Sequence, residues 1–276
     1  MSGELSEELT VATRLAREAG ATIMRVYATD FSVAYKGKGD PVTQADQLAN
    51  DLIVKGLQKA FPTDLIVAEE SSPPSESLTA SRVWYVDPLD GTKEFIAKNG
   101  EFSVMIGLAV DGQAHLGVVY RPDGDVLYTG VVGQGAWVEV NGIRKALMVD
   151  STRESSSMTL AVSRSHRNPL IEKICEAVGV SQEIPSGSVG LKIGLIAEGR
   201  ADLYLEPGPY TSVWDACGPE AILRAAGGRF TNVFGQPLVY GLTPLKNILG
   251  LVATNGQCHA QVIAALAPLI DQPAPR

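Results

Sequence analysis

The stretch Val83-Trp84-Tyr85-Val86-Asp87-Pro88-Leu89-Asp90-Gly91-Thr92-Lys93-Glu94-Phe95 decides how this chain is read. Val83 to Val86 form an apolar run of the kind that fills a buried strand. The run stops at Asp87, and a second acid, Asp90, follows three residues on, ahead of Gly91-Thr92 and a short helical segment. Two carboxylates at that spacing beyond a strand can face one point in space. Gly91 lets backbone approach a ligand closely, and the N–H groups of a helix start favour anions. Cation ligands beside an anion cradle imply metal-assisted phosphate chemistry. Taken alone, the stretch fits a tight turn with aspartate capping equally well.

Working outward, the first half carries helix signals. Leu5, Leu9, Ala12, Leu15, Ala16, Ala19, Ile23 and Val26 recur at helical spacing. Phe31 to Lys38 reads as extended and leads into a basic, glycine-rich YKGKGD. Thr43 is a candidate N-cap with Asp46 three residues later, a variant capping box opening a helix that ends before Pro62. Leu65 to Ala68 reads as a short buried strand ending in Glu69-Glu70, followed by a Ser/Pro-rich loop over 71–81. From 103 to 140, β-rich runs alternate with Asp-Gly and Asn-Gly turn signals, which predicts an antiparallel meander.

Beyond Asp150 the pattern alternates strand and helix. Strands are expected at 158–163, 201–205 and 249–253, and helices after Asn168-Pro169 and over 188–197, 214–226 and 258–269. The fold class is therefore α/β, with an α+β half over 1–150 and an α/β half over 151–276.

With 276 residues, 45% of them hydrophobic, the chain can bury a large core. Its net charge of −8 and lack of a Lys/Arg run argue against binding duplex nucleic acid. No apolar run approaches the ~20 residues of a membrane span, and the polar, acidic N-terminus is unlike a signal peptide. The three cysteines (Cys175, Cys217 and Cys258) are odd in number and widely spaced, so free thiols in a reducing, cytoplasmic setting are expected.

The acids that end strands or begin helices (Asp46, Glu69, Asp87, Asp90 and Asp215) each have a structural role available to them, Asp46 as a helix cap above all. Converging on one cleft, they would repel each other unless they shared cations. An oxygen-only ligand set points to Mg²⁺ rather than Zn²⁺. The three histidines are too scattered for a zinc site.

VAEES at 67–71, DPLDGTKEF at 87–95 and WDACGPEAILRAAGG at 214–228 resemble, in this order, the signatures of the inositol monophosphatase superfamily of lithium-sensitive, Mg²⁺-dependent phosphatases. The likeness runs from about Leu9 to Thr254 and implies a layered αβαβα sandwich. Three features resemble the 3'(2'),5'-bisphosphate nucleotidases within it: Lys93-Glu94-Phe95, Ser163-Arg164-Ser165-His166 and Gly190-Leu191-Lys192-Ile193.

The resemblance implies removal of the 3'-phosphate from adenosine 3',5'-bisphosphate, in sulfur metabolism, with an inositol or broad sugar-phosphate phosphatase as the alternative. It implies two to three Mg²⁺ ions. The implied ligands are Glu69, Asp87 and the Leu89 carbonyl for one ion, Asp87, Asp90 and Asp215 for a second, and Glu69 for a weaker third. Asp46 and Thr92 would orient and deprotonate water, with Glu70 as a supporting partner. Gly91 and Thr92 N–H groups would hold the phosphate. His166 would contact base or sugar, and Ser165 and Lys192 the 5'-phosphate. The expected partner is a small nucleotide, bound by a monomer or homodimer.

Overall fold

In a computed structural model, the structure describes residues 5–37, 40–71, 80–150, 158–164, 169–241 and 244–270. The elements in chain order are α1 (Ser6–Tyr27), β1 (Val33–Gly37), β2 (Asp40–Thr43), α2 (Gln44–Ala60), β3 (Leu65–Ala68), β4 (Arg82–Asp90), α3 (Thr92–Ile96), β5 (Ser103–Val110), β6 (Gln113–Arg121), β7 (Val126–Val131), β8 (Gly135–Val140), β9 (Ile143–Leu147), β10 (Met158–Ser163), α4 (Pro169–Val178), β11 (Val180–Ser186), α5 (Val189–Ala197), β12 (Leu203–Glu206), α6 (Val213–Ala225), β13 (Arg229–Thr231), β14 (Leu251–Thr254) and α7 (His259–Leu266). Among the described residues no helix is long and apolar enough to cross a membrane.

Strands β3 to β9 form one seven-stranded sheet in sequence order, antiparallel except for the parallel β3–β4 pair. A five-stranded mixed sheet has the order β11-β10-β12-β14-β13. Side-chain alternation assigns the faces. Trp84, Val86, Val104, Ile106, Leu108, Leu116 and Val118 pack with α1 and α2. Met105 and Val119, on the opposite face, join α5, α6 and the inner face of the second sheet through Ala161, Tyr204 and Ala253. Leu160, Val162, Leu203, Leu205 and Val252 point the other way, onto α4 and α7. The layers are therefore α1/α2, sheet, α5/α6, sheet, α4/α7, the αβαβα sandwich that the family resemblance implies.

Three differences from the sequence reading have local causes. Asp40–Thr43 pairs antiparallel with Val33–Gly37, although the sequence there shows only a glycine-rich YKGKGD and the opening of a helix. Edge strands β9 and β11 are mostly exposed, so they lack the apolar alternation that marks a strand. The three residues of β13 are too short for any period.

Helix α6 lies unusually close to the first sheet. Gly107, Gly117 and Gly130 are neighbours across β5, β6 and β7. A Cβ on Gly117 would stand 2.0 Å from the Gly218 carbonyl oxygen, and one on Gly107 2.4 Å from the Gly218 nitrogen. One on Gly130 would meet Ile222 Cα at 2.6 Å. This track of missing side chains sets the height of α6, and with it the position of Asp215 at its first turn.

Candidate active site

The site begins with a fault in β4. Asp87 pairs with Met105, but Asp90 pairs with Ser103, so three steps on β4 match two on β5. In an unbroken strand, residues three apart point to opposite faces. The extra residue, next to Pro88, which has no N–H to give a ladder, inverts the alternation. Tyr85 lies in the cluster on the α6 side, whereas Leu89, four residues later, packs with α1 and α2. Asp87 and Asp90 are thus brought to one side, facing α6, as bulges beside functional sites re-aim side chains. The Leu89 N–H donates to Asp87 Oδ1 at 2.9 Å. Gly91 then takes φ 96°, a left-handed conformation that costs glycine little, and leads into α3.

Asp215 arrives from the second half at the third position of α6, its Oδ2 accepting from the Ser212 N–H at 2.5 Å. One carboxylate oxygen from each of Asp87, Asp90 and Asp215 lies within 4.8 Å of the other two, an arrangement that could hold a metal ion. Asp87 is 2% exposed. Burial, reinforced by Glu69, Asp90 and Asp215, pushes its pKa far up. Asp215 is raised by desolvation and by Asp90 and Glu69. Desolvated carboxyls that oppose one another's ionisation are the arrangement a divalent cation relieves, and the oxygen-only set suits a hard ion.

Asp90 also ties the halves together. Its Oδ2 accepts from Ser188 Oγ at 2.6 Å and from the Val189 N–H, so it caps α5. Ser188 bonds Ser103 Oγ at 2.8 Å and holds φ 43°, a strained value for a residue with a side chain. Neither Ser103 nor this capping use of Asp90 emerged from the sequence.

Glu69 continues the β3 ladder by donating its N–H to the Val86 carbonyl at 3.0 Å. Its carboxyl is pushed up by burial, against the pull of Lys36. Lys36 Nζ stands 2.9 Å from Glu69 Oε1 and also pairs with Glu70, whose side chain is 3% exposed. Burial pulls the Lys36 ammonium down, but the two glutamates more than offset it. Glu70 also accepts from Gln47 Nε2 at 3.0 Å. Lys36 was visible only as part of the basic, glycine-rich YKGKGD. Its use needed strand β1, which carries it beside Glu69.

Asp46 is buried, with Oδ2 accepting from the Thr43 N–H at 2.8 Å and Thr43 Oγ1 at 2.7 Å. Thr92 Oγ1 lies 3.2 Å from its Oδ1 and 3.3 Å from the Leu89 carbonyl. Burial raises the Asp46 pKa, partly opposed by the Thr43 bonds. Residues 46 and 92, far apart in sequence, therefore meet as a hydrogen-bonded pair.

Glu69, Asp87, Leu89, Asp90, Gly91, Thr92, Lys192 and Asp215 all line one cavity of about 380 Å³. Lys192 is 3% exposed rather than on a solvated helix face, and its Nζ donates to the carbonyls of Gly187 (3.2 Å) and Ser188 (2.8 Å). Its pKa is lowered by burial, against Asp90, Glu94 and Glu206. Ser165 and His166 lie outside the described residues, as does most of the 71–81 loop. The cavity also gathers Tyr204, Glu206, Tyr210 and Lys246, which sequence reasoning missed. Glu206 could have been found, since it ends an apolar strand as Asp87 and Glu69 do.

The family model for the inositol monophosphatase family matches residues 4–271. This chain belongs to the inositol monophosphatase family. Members are generally Mg²⁺-dependent. Among its relatives, the 3'(2'),5'-bisphosphate nucleotidase CysQ of Escherichia coli O157:H7 is 41% identical over 86% of this chain and 94% of that protein. The CysQ nucleotidase of Salmonella typhimurium is 42% identical over the same shares. Among solved structures of the family, CysQ from Bacteroides thetaiotaomicron aligns with TM-score 0.78 and 30% identity, over 91% of this chain and 98% of that one. An inositol monophosphatase from Anabaena aligns with TM-score 0.77 and 29% identity, over 96% of each chain.

Proposed function

We propose that this chain is a Mg²⁺-dependent 3'(2'),5'-bisphosphate nucleotidase, hydrolysing the 3'-phosphate of adenosine 3',5'-bisphosphate. The observation that carries the chemistry is the meeting of Asp87, Asp90, Asp215 and Thr92 in one cavity, with Asp46 buried behind Thr92 and hydrogen-bonded to it. The substrate is supported by the nucleotidase relatives at about 40% identity.

Asp87, Asp90 and Asp215 would hold one Mg²⁺, and Glu69, Asp87 and the Leu89 carbonyl another, with Glu69 offering room for a third. Ions bound there supply Lewis-acid polarisation of the phosphoryl group and acidify water. The chain's own residues do the rest. Thr92 Oγ1 and Asp46 Oδ1 form a relay in which the hydroxyl takes a proton from the attacking water and passes its own to the buried carboxylate. The raised Asp46 pKa makes that carboxylate a better acceptor. Thr43 keeps it oriented through its N–H and hydroxyl. Gly91 and Thr92 N–H groups hold the phosphate at the start of α3. Glu70 supports Glu69 through their shared Lys36. The two halves, 1–150 and 151–276, each contribute part of the site, and function takes place in the cytoplasm.

An inositol-phosphate phosphatase is the second reading, favoured by the inositol monophosphatases among the structural neighbours. Turnover of adenosine 3',5'-bisphosphate and of inositol 1-phosphate, at one Mg²⁺ concentration, separates the two. The nucleotide is expected to be the better substrate by kcat/KM, and a clear preference for the inositol ester overturns the proposal.

A further inference from the structure

We infer that Lys246 and Tyr210 form the subsite for the part of the substrate remote from the scissile phosphate, Lys246 meeting a second phosphate and Tyr210 offering a stacking face to the base. This rests on the nucleotide-bisphosphate reading above.

A bisphosphate brings two anions into a cavity already lined by carboxylates. The first lies against the acids that would hold cations. The second needs a cation from the protein. Among the described lining residues the candidates are Lys93, Lys192 and Lys246. Lys93 already has a partner. Lys192 is buried, gives two of its three N–H groups to carbonyls and stands 5.4 Å over the Tyr204 ring. Lys246 is exposed and has no side-chain hydrogen bond or ion pair among the described residues.

Its backbone, unlike its side chain, is held firmly. Lys246 bridges Ser212, the residue that caps α6. Val213 N–H donates to the Leu245 carbonyl at 2.9 Å, and Asn247 N–H to the Thr211 carbonyl at 2.9 Å. Asn247 Nδ2 adds bonds to Thr211 Oγ1 at 3.0 Å and the Ser212 carbonyl at 2.7 Å. A mobile ammonium is thus anchored at a fixed offset from Asp215, three residues beyond Ser212.

Tyr210 lines the same cavity yet is 68% exposed. Its ring lies against Gly208, where a Cβ would come within 2.5 Å of Cε2. Pro207 and Pro209 flank that glycine and restrict the loop. An aromatic face held open at a cavity mouth suits base stacking. A cyclitol monophosphate, with one phosphate and no base, would use neither feature.

The test compares kcat/KM for adenosine 3',5'-bisphosphate and adenosine 3'-phosphate in wild type, Lys246→Met and Lys246→Arg. Calorimetric binding of adenosine 5'-phosphate to wild type, Tyr210→Ala and Tyr210→Phe accompanies it. Both side chains are exposed, and thermal melts verify that the variants fold. We expect Lys246→Met to lose about 10- to 100-fold of the preference for the bisphosphate, as removal of a charged hydrogen-bond partner does, and Lys246→Arg to keep most of it. Tyr210→Ala is expected to weaken nucleotide binding about tenfold, with Phe restoring it. An unchanged preference in Lys246→Met, or binding unchanged in Tyr210→Ala, overturns the assignment of that residue while leaving the nucleotidase reading intact. A wild type that does not hydrolyse the bisphosphate overturns both.

Discussion

The two ends of the cavity are built in opposite ways. Most of the acidic end is made of short contiguous segments, joined by Asp215 from the first turn of α6. Asp87, Leu89, Asp90, Gly91 and Thr92 come from a single bulged strand exit, and Glu69 from the parallel neighbour of that strand. The other end is assembled from Lys192 on α5, Tyr204 and Glu206 on β12, Tyr210 on a loop and Lys246 on a segment pinned to the start of α6. The acidic end has almost no freedom, because each carboxyl is fixed by backbone N–H groups or by its neighbours' charge. At the far end Lys192, Tyr204 and Glu206 are buried, but Tyr210 and Lys246 keep exposed side chains at the mouth. Chemistry common to a whole family belongs in the rigid part, and substrate choice in the adjustable part.

The largest effects should come from breaking the rigid end. Asp46→Asn removes the carboxylate proposed as proton acceptor while leaving an isosteric side chain against Thr43. We expect kcat to fall by about 10²- to 10⁴-fold, the usual worth of a general base, with circular dichroism and melting temperature little changed. An activity within tenfold of wild type would remove Asp46 from the reaction. Asp90→Asn takes one charge from the acidic set and weakens the cap on α5. Loss of partners that merely support ligands costs 10- to 100-fold, so a ligand itself should cost more than about 100-fold in activity. The Mg²⁺ concentration for half-maximal rate should rise with it.

Without cations the acidic end works against folding, and this gives a pH signature. The folded-state pKa values of Asp46, Glu69, Asp87 and Asp215 are raised, mainly by burial. In the unfolded chain these acids titrate near ~4. Between that value and the folded one, the native state binds more protons, so stability falls as pH rises. Metal-free protein should therefore lose melting temperature from about pH 5 toward pH 8. Mg²⁺, binding only the folded form, should restore about 2.7 kcal/mol at a hundredfold excess over its Kd. Differential scanning across that range, with Mg²⁺ or with chelator, should show the gap between the two widening upward. A gap that narrows as pH rises would contradict the shared-cation reading.

The two ends also differed in how far the sequence disclosed them. Strand exits and helix starts are marked by local chemistry, so Glu69, Asp87, Asp90 and Asp215 could be collected before any geometry was known. Tyr210 and Lys246 carry no such mark. Lys246 enters the cavity only because its backbone bridges Ser212, across more than thirty residues of chain. Edge strands β9 and β11 escaped for a related reason, since exposure erases the alternation that betrays a strand. The glycines beneath α6 lie inside the expected β-rich runs without any mark of their own, and only the stacked register of Gly107, Gly117 and Gly130 shows what they do. Gly117→Ala tests that register. Overpacking of this kind costs about 1–3 kcal/mol, or some 2–4 °C per kcal/mol in a domain of this size. Because α6 carries Asp215, the requirement for Mg²⁺ should also increase. A stability loss with unaltered Mg²⁺ dependence would mean that α6 height and site geometry are independent.

The smallest expected effect lies at the rim, where the halves meet. Arg164 forms two bonds of 2.7 Å to Glu101, which also accepts from the Gly187 N–H at 2.8 Å. Burial alone would raise the Glu101 pKa, but Arg164 and that N–H more than reverse it. Arg164 is 44% exposed, so solvent screens the pair and its contribution to stability is at most about 1 kcal/mol. Glu101 nonetheless holds Gly187, and Gly187 precedes Ser188, which bonds Asp90. Arg164→Lys keeps the charge but loses the two-pronged contact. Melting temperature should change by no more than a few degrees. Because Gly187 and Ser188 line the cavity wall, KM for the substrate should rise by a small factor while kcat stays near wild type. A fall in kcat with KM unchanged would mean that the Arg164–Glu101 contact reaches through Ser188 to Asp90, and that the adjustable rim and the rigid acidic end are mechanically one unit.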